Sequence, residues 1–299
     1  MGRENQHPGQ QLPRGRYGRA VVAPDVPQPQ IEALCRDPAE LLWGNIGRPV
    51  KIDRTSLMVR ADLALPERTL HVAYKRYLPR NGWKTLCSLL RPSEVWRDWT
   101  TAHELVARGI PTATPVAVVT PSWCQLDRRG YLATEWIKST ENLHMFAWRL
   151  AELPVGQRLR RAAVCAESLG RLIGKMHAQH ISHRDLKGSN LLVKQDDVAG
   201  SWPTETYIVD MKGVRVFGRR TVRRAVARRV SDLARLAASI EAHPWVSFTV
   251  RLRFIRAYHV ELGRVELNSH LTWKHLWQAV AGRSRQLVEK KRRRGKPVL

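Results

Sequence analysis

The chain has 299 residues, 43% of them hydrophobic and 26% charged, which is enough for one large domain or two lobes with real cores. No run approaches the ~18 uninterrupted apolar residues that a membrane span needs, and the opening stretch MGRENQHPGQQLPRGRYGRA lacks the apolar core of a secretory signal. The formal charge of +25 calls for an anionic partner: nucleic acid, an anionic membrane surface or a phosphorylated substrate. Gln6 stands where a myristoylation signal at Gly2 wants Ser or Thr. Cys35, Cys87, Cys124 and Cys165 form no C-x-x-C pair and read as small buried side chains. The expected location is the cytoplasm, with peripheral contact at the inner face of the membrane left open.

In chain order, residues 1–30 are rich in Pro, Gly, Gln and Arg and read as a disordered tail. The run VKIDRTSLMVRADLAL predicts a hairpin with its turn near Asp53–Ser56. RTLHVAYKRY alternates as a strand does, with His71, Ala73, Lys75 and Tyr77 on one face. SEVWRDWTTAHELVAR predicts a helix over 93–108, with Ser93 as N-cap and Gly109 as its end. TPVAVVT and GYLATEW read as two more strands. Beyond about residue 140 the pattern is mostly helical, with a long amphipathic helix over 157–179 and a strand at TYIVD. Residues 287–299 read as a basic tail. A strand-rich half with one helix is thus followed by a helix-rich half, and a cleft between two such halves is a natural ligand site.

The stretch ISHRDLKGSNLLV places Asp185 and Asn190 five positions apart between apolar flanks. With VAYKRY, WRDWTTAHELVARGIPTATPVAV and YIVDMKGVRV, it resembles the protein kinase-like superfamily. Within that superfamily it is most similar to the lipopolysaccharide kinase (Kdo/heptose kinase) family, over about residues 48–260. The resemblance implies an α+β, bilobal protein kinase-like fold. A small strand-rich N-lobe with one helix (31–137) would precede a larger, mostly helical C-lobe (138–286). The implied activity is ATP- and Mg2+-dependent transfer of phosphate to a hydroxyl, on a lipopolysaccharide-type or other lipid-linked sugar. A protein Ser, Thr or Tyr acceptor is the alternative within the same class. A nucleotide-binding pseudokinase scaffold is the alternative outside it, and retention of Lys75, Asp185, Asn190 and Asp210 speaks against that.

The roles below are what the resemblance implies. Asp185 orients the attacking hydroxyl, and Lys187 offsets charge on the transferring phosphoryl group. Asn190 and Asp210 hold the metal through oxygen, as a hard cation prefers. Asp210 stands in Asp210-Met211-Lys212-Gly213 rather than D-F-G, so the Phe is lost and the Gly displaced by one. Lys75 pairs with the ATP phosphates, and Ala73 leaves room for adenine. Lys75 needs a carboxylate partner, for which Asp98 and Glu104 compete; position relative to GIPT favours Asp98, although the family usually carries Glu. No G-x-G-x-x-G precedes the lysine strand, so Arg54, Thr55 and Ser56 at the hairpin tip either cover the phosphates or form a plain turn. Backbone groups from Glu135 to Ile137 would hold adenine. Asp232 either braces the catalytic loop or caps a helix. Apart from the resemblance, spacing and charge let the arginines from Arg219 to Arg229, with the cluster Lys290–Arg294, read either as a grip on an anionic acceptor or membrane surface or as a solvated face. The basic runs lack interleaved aromatics, which argues against nucleic acid.

Overall fold

The computed structural model describes residues 10–11, 19–22, 26, 32–34, 36–45, 49–53, 56–65, 68–78, 93–120, 130–194, 205–218, 222–263 and 272–295. They belong to two compact units: Met1–Val106 with Ala113–Trp136, and Ala107–Thr112 with Ile137–Leu299.

In the first unit, in chain order, are β1 (Gln10–Gln11), β2 (Arg19–Val22), α1 (Glu40–Trp43), β3 (Pro49–Asp53), β4 (Ser56–Ala64), β5 (Thr69–Tyr77), α2 (Glu94–Ala107), β6 (Pro115–Thr120) and β7 (Gly130–Glu135). The strands form one antiparallel sheet of order β1-β2-β6-β7-β5-β4-β3. Side chains alternate between its faces, so each face needs its own cover. One face buries Leu57, Val59, Ala61, Leu63, Val72 and Tyr74 with Leu42 of α1. The other buries Val21, Tyr77, Val118 and Leu132 against Val95 and Trp99 of α2. The Ser93 hydroxyl accepts from the Trp96 N–H at 3.3 Å, so the expected helix start is in place.

Two features differ from the expected boundaries. Residues 1–30 were expected to lie outside the fold, yet β2 pairs with β6 and its Val21 and Val22 are each 2% exposed. The short run Arg-Ala-Val-Val supplies enough apolar surface to extend the sheet despite its polar surroundings. The turn residues Arg54 and Thr55 lie outside the described residues, although the register Asp53↔Ser56 fits a two-residue hairpin.

The second unit contains β8 (Thr140–Asn142), α3 (Leu143–Ala151), α4 (Val155–Ala178), β9 (Ile181–Ser182), β10 (Leu191–Lys194), β11 (Thr206–Ile208), β12 (Arg215–Val216), α5 (Val222–Ile240), α6 (Phe248–Gly263) and α7 (Trp273–Arg293). Asn142 caps α3 by accepting from the N–H groups of His144 and Met145. Helices α4 and α6 pack closely because Gly170 and Gly174 lie on the same face of α4. A Cβ at Gly170 would stand 2.4 Å from the Phe254 carbonyl oxygen, and one at Gly174 2.8 Å from that of Tyr258. Helix α7 runs unbroken across the 286/287 position where a tail was expected to begin. Its inward stripe, buried at Leu276 and Ser284 and half-buried at Val280, Leu287 and Lys291, is what extends the helix through the basic run. No helix of the described residues is long and apolar enough to cross a membrane.

Candidate active site

The loop between β9 and β10 is built around one buried carboxylate. Asp232 on α5 is fully buried. Its Oδ2 accepts from the Ser182 hydroxyl at 2.8 Å and the His183 N–H at 2.8 Å, and its Oδ1 accepts from the Arg184 N–H at 2.9 Å. His177 Nε2 adds a contact at 3.4 Å. Burial alone would raise the Asp232 pKa, but these hydrogen bonds and the His177 ring outweigh it and hold the carboxyl below its usual value. Of the two readings open for Asp232, the geometry is that of the brace.

That anchoring lets the loop adopt backbone angles it would not hold alone. Arg184 has φ 64° and Asp210 φ 66°, both in the left-handed region, which costs side-chain-bearing residues about 1–3 kcal/mol. His183 is buried, and its Nε2 lies 3.2 Å from the Val209 carbonyl oxygen, tying the loop to the strand that precedes Asp210. Burial pushes the His183 pKa down against the opposing pull of Asp232, Asp210 and Asp185. All three acids therefore act on one ring, as does the Val209 carbonyl that it contacts.

The Asp185 and Lys187 side chains meet at 3.0 Å, both partly open to solvent. Asn190, 1% exposed, donates through Nδ2 to the Asp185 carbonyl oxygen at 2.9 Å and to Asp185 Oδ2 at 3.3 Å. Its amide oxygen is thereby turned away from Asp185. The Val209 N–H donates to the Asn190 carbonyl oxygen at 3.0 Å, which brings Asp210 in beside this loop. Among the described residues no three His, Cys, Asp or Glu side chains form a metal-binding group. Asn190 and Asp210, which flank the Val209–Asn190 backbone hydrogen bond, are the oxygen-bearing side chains here that could hold a hard cation such as Mg2+.

Gly213, the glycine displaced by one from its usual place, has a clear reason to be glycine. A Cβ there would lie 2.4 Å from the His183 carbonyl oxygen. Gly188 is similarly crowded, since its Cβ would meet the His144 ring at 2.7 Å. The His144 Nδ1 lies 3.0 Å from His243 Nε2. Neither histidine was singled out by the sequence, because an isolated His carries no spacing signal.

In the first unit, β5 register sets Lys75 opposite Met58 and Leu132. Its ammonium sits 4.7 Å from the centre of the Tyr77 ring. The Tyr77 hydroxyl donates to Asp98 Oδ2 at 2.6 Å, and Asp98 is 2% exposed. Tyr77 thus touches both Lys75 and Asp98, which favours Asp98 over Glu104 as the acid associated with the lysine. Ala73 is half-buried opposite Arg60 and Thr134. Ser56 is 8% exposed, packed at the start of β4. At the expected hinge, the Glu135 N–H already donates to the Thr114 carbonyl and the Trp136 N–H to that of His71. Ile137 lies in the second unit, with its carbonyl accepting from the Thr140 hydroxyl.

Among the described residues of the arginine series, Arg224, Arg228 and Arg229 do not share one exposed face. The Arg228 guanidinium lies 3.5 Å from the Phe217 ring centre, and Arg229 is 6% exposed, whereas Arg224 is exposed. Arg219 and Arg220 lie outside the described residues, as does the Arg223 side chain.

An apolar cavity of about 270 Å3 opens elsewhere in the helical unit, lined by Leu150, Cys165, Leu169, Leu236, Trp245 and Trp277 among others. Burial pushes the Cys165 thiol up to about 12, so it is an inert wall residue.

The family model described as "Lipopolysaccharide kinase (Kdo/WaaP) family" matches residues 77–258. The chain belongs to the lipopolysaccharide kinase (Kdo/WaaP) family. The matched span includes Asp98, Asp185, Asn190, Asp210 and Asp232 and begins just after Lys75. The chain is similar to the lipopolysaccharide core heptose(I) kinase WaaP of Pseudomonas aeruginosa. The two are 28% identical over 166 residues, or 54% of this chain and 58% of that protein. The chain thus spans little more than half the length of this curated relative. A solved structure, WaaP in complex with acyl carrier protein, matches with a TM-score of 0.58 at 19% identity. That match covers 89% of this chain and 97% of that one, and the fold is the kinase-like one.

Proposed function

We propose that the protein is an ATP- and Mg2+-dependent phosphotransferase acting on a hydroxyl of a lipid-linked, lipopolysaccharide-type sugar. The observation that carries this reading is the catalytic loop, in which Asp185, Lys187 and Asn190 are mutually bonded and locked from below by Asp232. The Asp185 carboxylate accepts or orients the hydroxyl proton, and the Lys187 ammonium offsets negative charge on the moving phosphoryl group. Asn190 and Asp210 would hold Mg2+, which neutralises charge on the phosphate oxygens when bound. Lys75 engages the ATP phosphates, and Ile137 supplies a backbone contact for adenine. Rigid placement matters because phosphoryl transfer depends on alignment more than on covalent participation of the protein.

The test is incubation of the full chain with labelled ATP, magnesium and a cell-envelope extract. Label should enter a glycolipid fraction, and Asp185→Ala should lower the rate by about 1000-fold or more while leaving ATP binding measurable by calorimetry. Label confined to protein would favour a protein acceptor, and undiminished transfer by Asp185→Ala would remove its assigned role.

The cavity favours a second reading, a partner rather than a second reaction. We infer that an acyl carrier protein, as seen bound to the structural neighbour, is also a partner of this chain. Its acyl chain would enter the apolar cavity, and the excess positive charge suits an acidic partner. Purified acylated carrier should co-elute with the protein and the unacylated carrier should not. Leu169→Trp, which fills the cavity, should abolish co-elution; equal binding of both carrier forms would refute this.

A further inference from the structure

One face of β5 is covered along only part of its length. At its Tyr77 end the face lies against Val95 and Trp99 of α2. Toward the other end it carries Lys75, Ala73 and His71, all half-buried. The register sets Arg60 of β4 on one side of Ala73 and Thr134 of β7 on the other. In the next row Asp62 stands opposite His71, and Trp136, just after β7, donates its N–H to the His71 carbonyl oxygen at 2.8 Å. All of these residues belong to the first unit. Arg60 does not stay over its own strand, because its guanidinium carbon lies 5.5 Å from the centre of the Trp136 ring. Neighbouring strands stand about 4.8 Å apart, so the side chain crosses β5 to reach that ring, and the small Ala73 leaves it the path. Asp62, the acid two residues on, has its Oδ1 2.6 Å from His71 Nδ1. The carboxylate on this face thus belongs to the imidazole and the guanidinium to the indole.

A guanidinium is planar and weakly hydrated, and it stacks on π systems. Arg60 is exposed, so a ligand can reach it. The rest of the face says which ligand. Lys75 stands two residues along from Ala73, about 6.6 Å at the rise of a strand. An ammonium there suits the phosphates of a nucleotide whose base lies over Ala73. The Glu135 and Trp136 N–H groups already donate to the Thr114 and His71 carbonyls, so neither reads the edge of that base. We propose that Arg60, positioned by Trp136, is the platform on which the nucleotide base stacks, so that the base is gripped by its π face rather than selected by its edge. The inference rests on the phosphotransferase reading and concerns its nucleotide side. A stacked contact tolerates base identity, because every base has a π face.

Calorimetric titration of the full chain with ATP, GTP and inorganic tripolyphosphate, each with magnesium, tests this. Wild type is compared with Arg60→Leu, Arg60→Lys, Trp136→Leu and the double variant Arg60→Leu/Trp136→Leu. Wild type should bind both nucleotides. Arg60→Leu should weaken ATP and GTP by the same factor, about 5–30-fold, and leave tripolyphosphate within about twofold. Arg60→Lys keeps the charge but loses the plane, so it should stay within about twofold of Arg60→Leu. Trp136→Leu should weaken ATP less than Arg60→Leu does. The double variant should match Arg60→Leu alone, since Trp136 acts through Arg60.

Equal losses for ATP and tripolyphosphate would make Arg60 a phosphate contact, and full rescue by Arg60→Lys would reduce its role to charge. Either result overturns the platform, as would losses at Arg60 and Trp136 that multiply independently. A wild type that binds ATP but not GTP, or a loss confined to one of the two, overturns it as well, because the base edge then decides. A wild type that binds neither nucleotide sinks the phosphotransferase reading and the platform together. ATP bound equally by wild type and Arg60→Leu sinks the platform alone.

Discussion

In the catalytic loop, backbone donors end on side chains: the N–H groups of His183 and Arg184 on Asp232, and that of Gly188 on the Ser239 hydroxyl. In β5, the backbone is paired along its length with β4 and β7, and side chains merely alternate between two cores. A loop secured by side chains must specify those side chains, so it is brittle toward polar substitutions. A strand secured by its ladder needs only alternation and tolerates much more. β5 carries Lys75 and the loop carries Asp185 and Lys187, yet the two regions should fail in different ways.

The largest effect should come from Asp232→Ala, which strips the acceptor from two backbone N–H groups and the Ser182 hydroxyl. Removing one buried charge that others depend on costs about 3–5 kcal/mol, measurable as a lower urea midpoint, with transfer lost in parallel. A stability loss under about 1 kcal/mol would mean that the loop holds itself, and the contrast with β5 would disappear. A smaller effect is expected from Tyr77→Phe on the strand side. It removes a hydrogen bond to the buried Asp98 carboxylate, worth about 1.5–3 kcal/mol, but leaves the ladder intact. The expected signature is a raised KM for ATP with little change in kcat, since the catalytic loop is untouched. A kcat loss as large as that of the loop variants would erase the distinction.

The smallest effect concerns pH. Burial first, and for His144 also the neighbouring charges of His243, Lys187 and Lys291, depresses the pKa of His144 and His243 below the ordinary 6.5. Groups depressed in the fold take up protons more readily when unfolded as pH falls below that value. Stability should therefore be fully present above pH 6.5 and decline on acidification. His243→Gln, followed by urea unfolding between pH 7.5 and 5.5, should flatten that decline; an unchanged slope would place the titration elsewhere.

The same contrast explains what was legible in the sequence. The loop could be read residue by residue from HRDLKGSN because its geometry demands those side chains, and the helix at 94–107 was readable from Ser93, its apolar period and Gly109. Tyr77 was placed on the right face but given no role, since a hydroxyl reaching a helix 21 residues on leaves no local trace. β2 was missed because four residues cannot display a period against a Pro- and Gly-rich background. Lys291 was hidden inside a run of identical charge, where only helical phase distinguishes the inward residue from its neighbours. Gly213 was legible as a departure from D-F-G, while its reason, contact with the His183 carbonyl, lay 30 positions away.

The chain crosses between its units more than once, and the short segment Ala107–Thr112 is counted with the helical unit. The Pro111 carbonyl accepts the Ile208 N–H at 3.0 Å, and the Thr112 hydroxyl donates to the Ile208 carbonyl at 2.7 Å. A fragment cut at residue 137 would therefore leave both polar groups of Ile208 bare, two positions before Asp210. The helical unit cannot be excised as one continuous piece, so grafts and truncations must carry these six upstream residues with it.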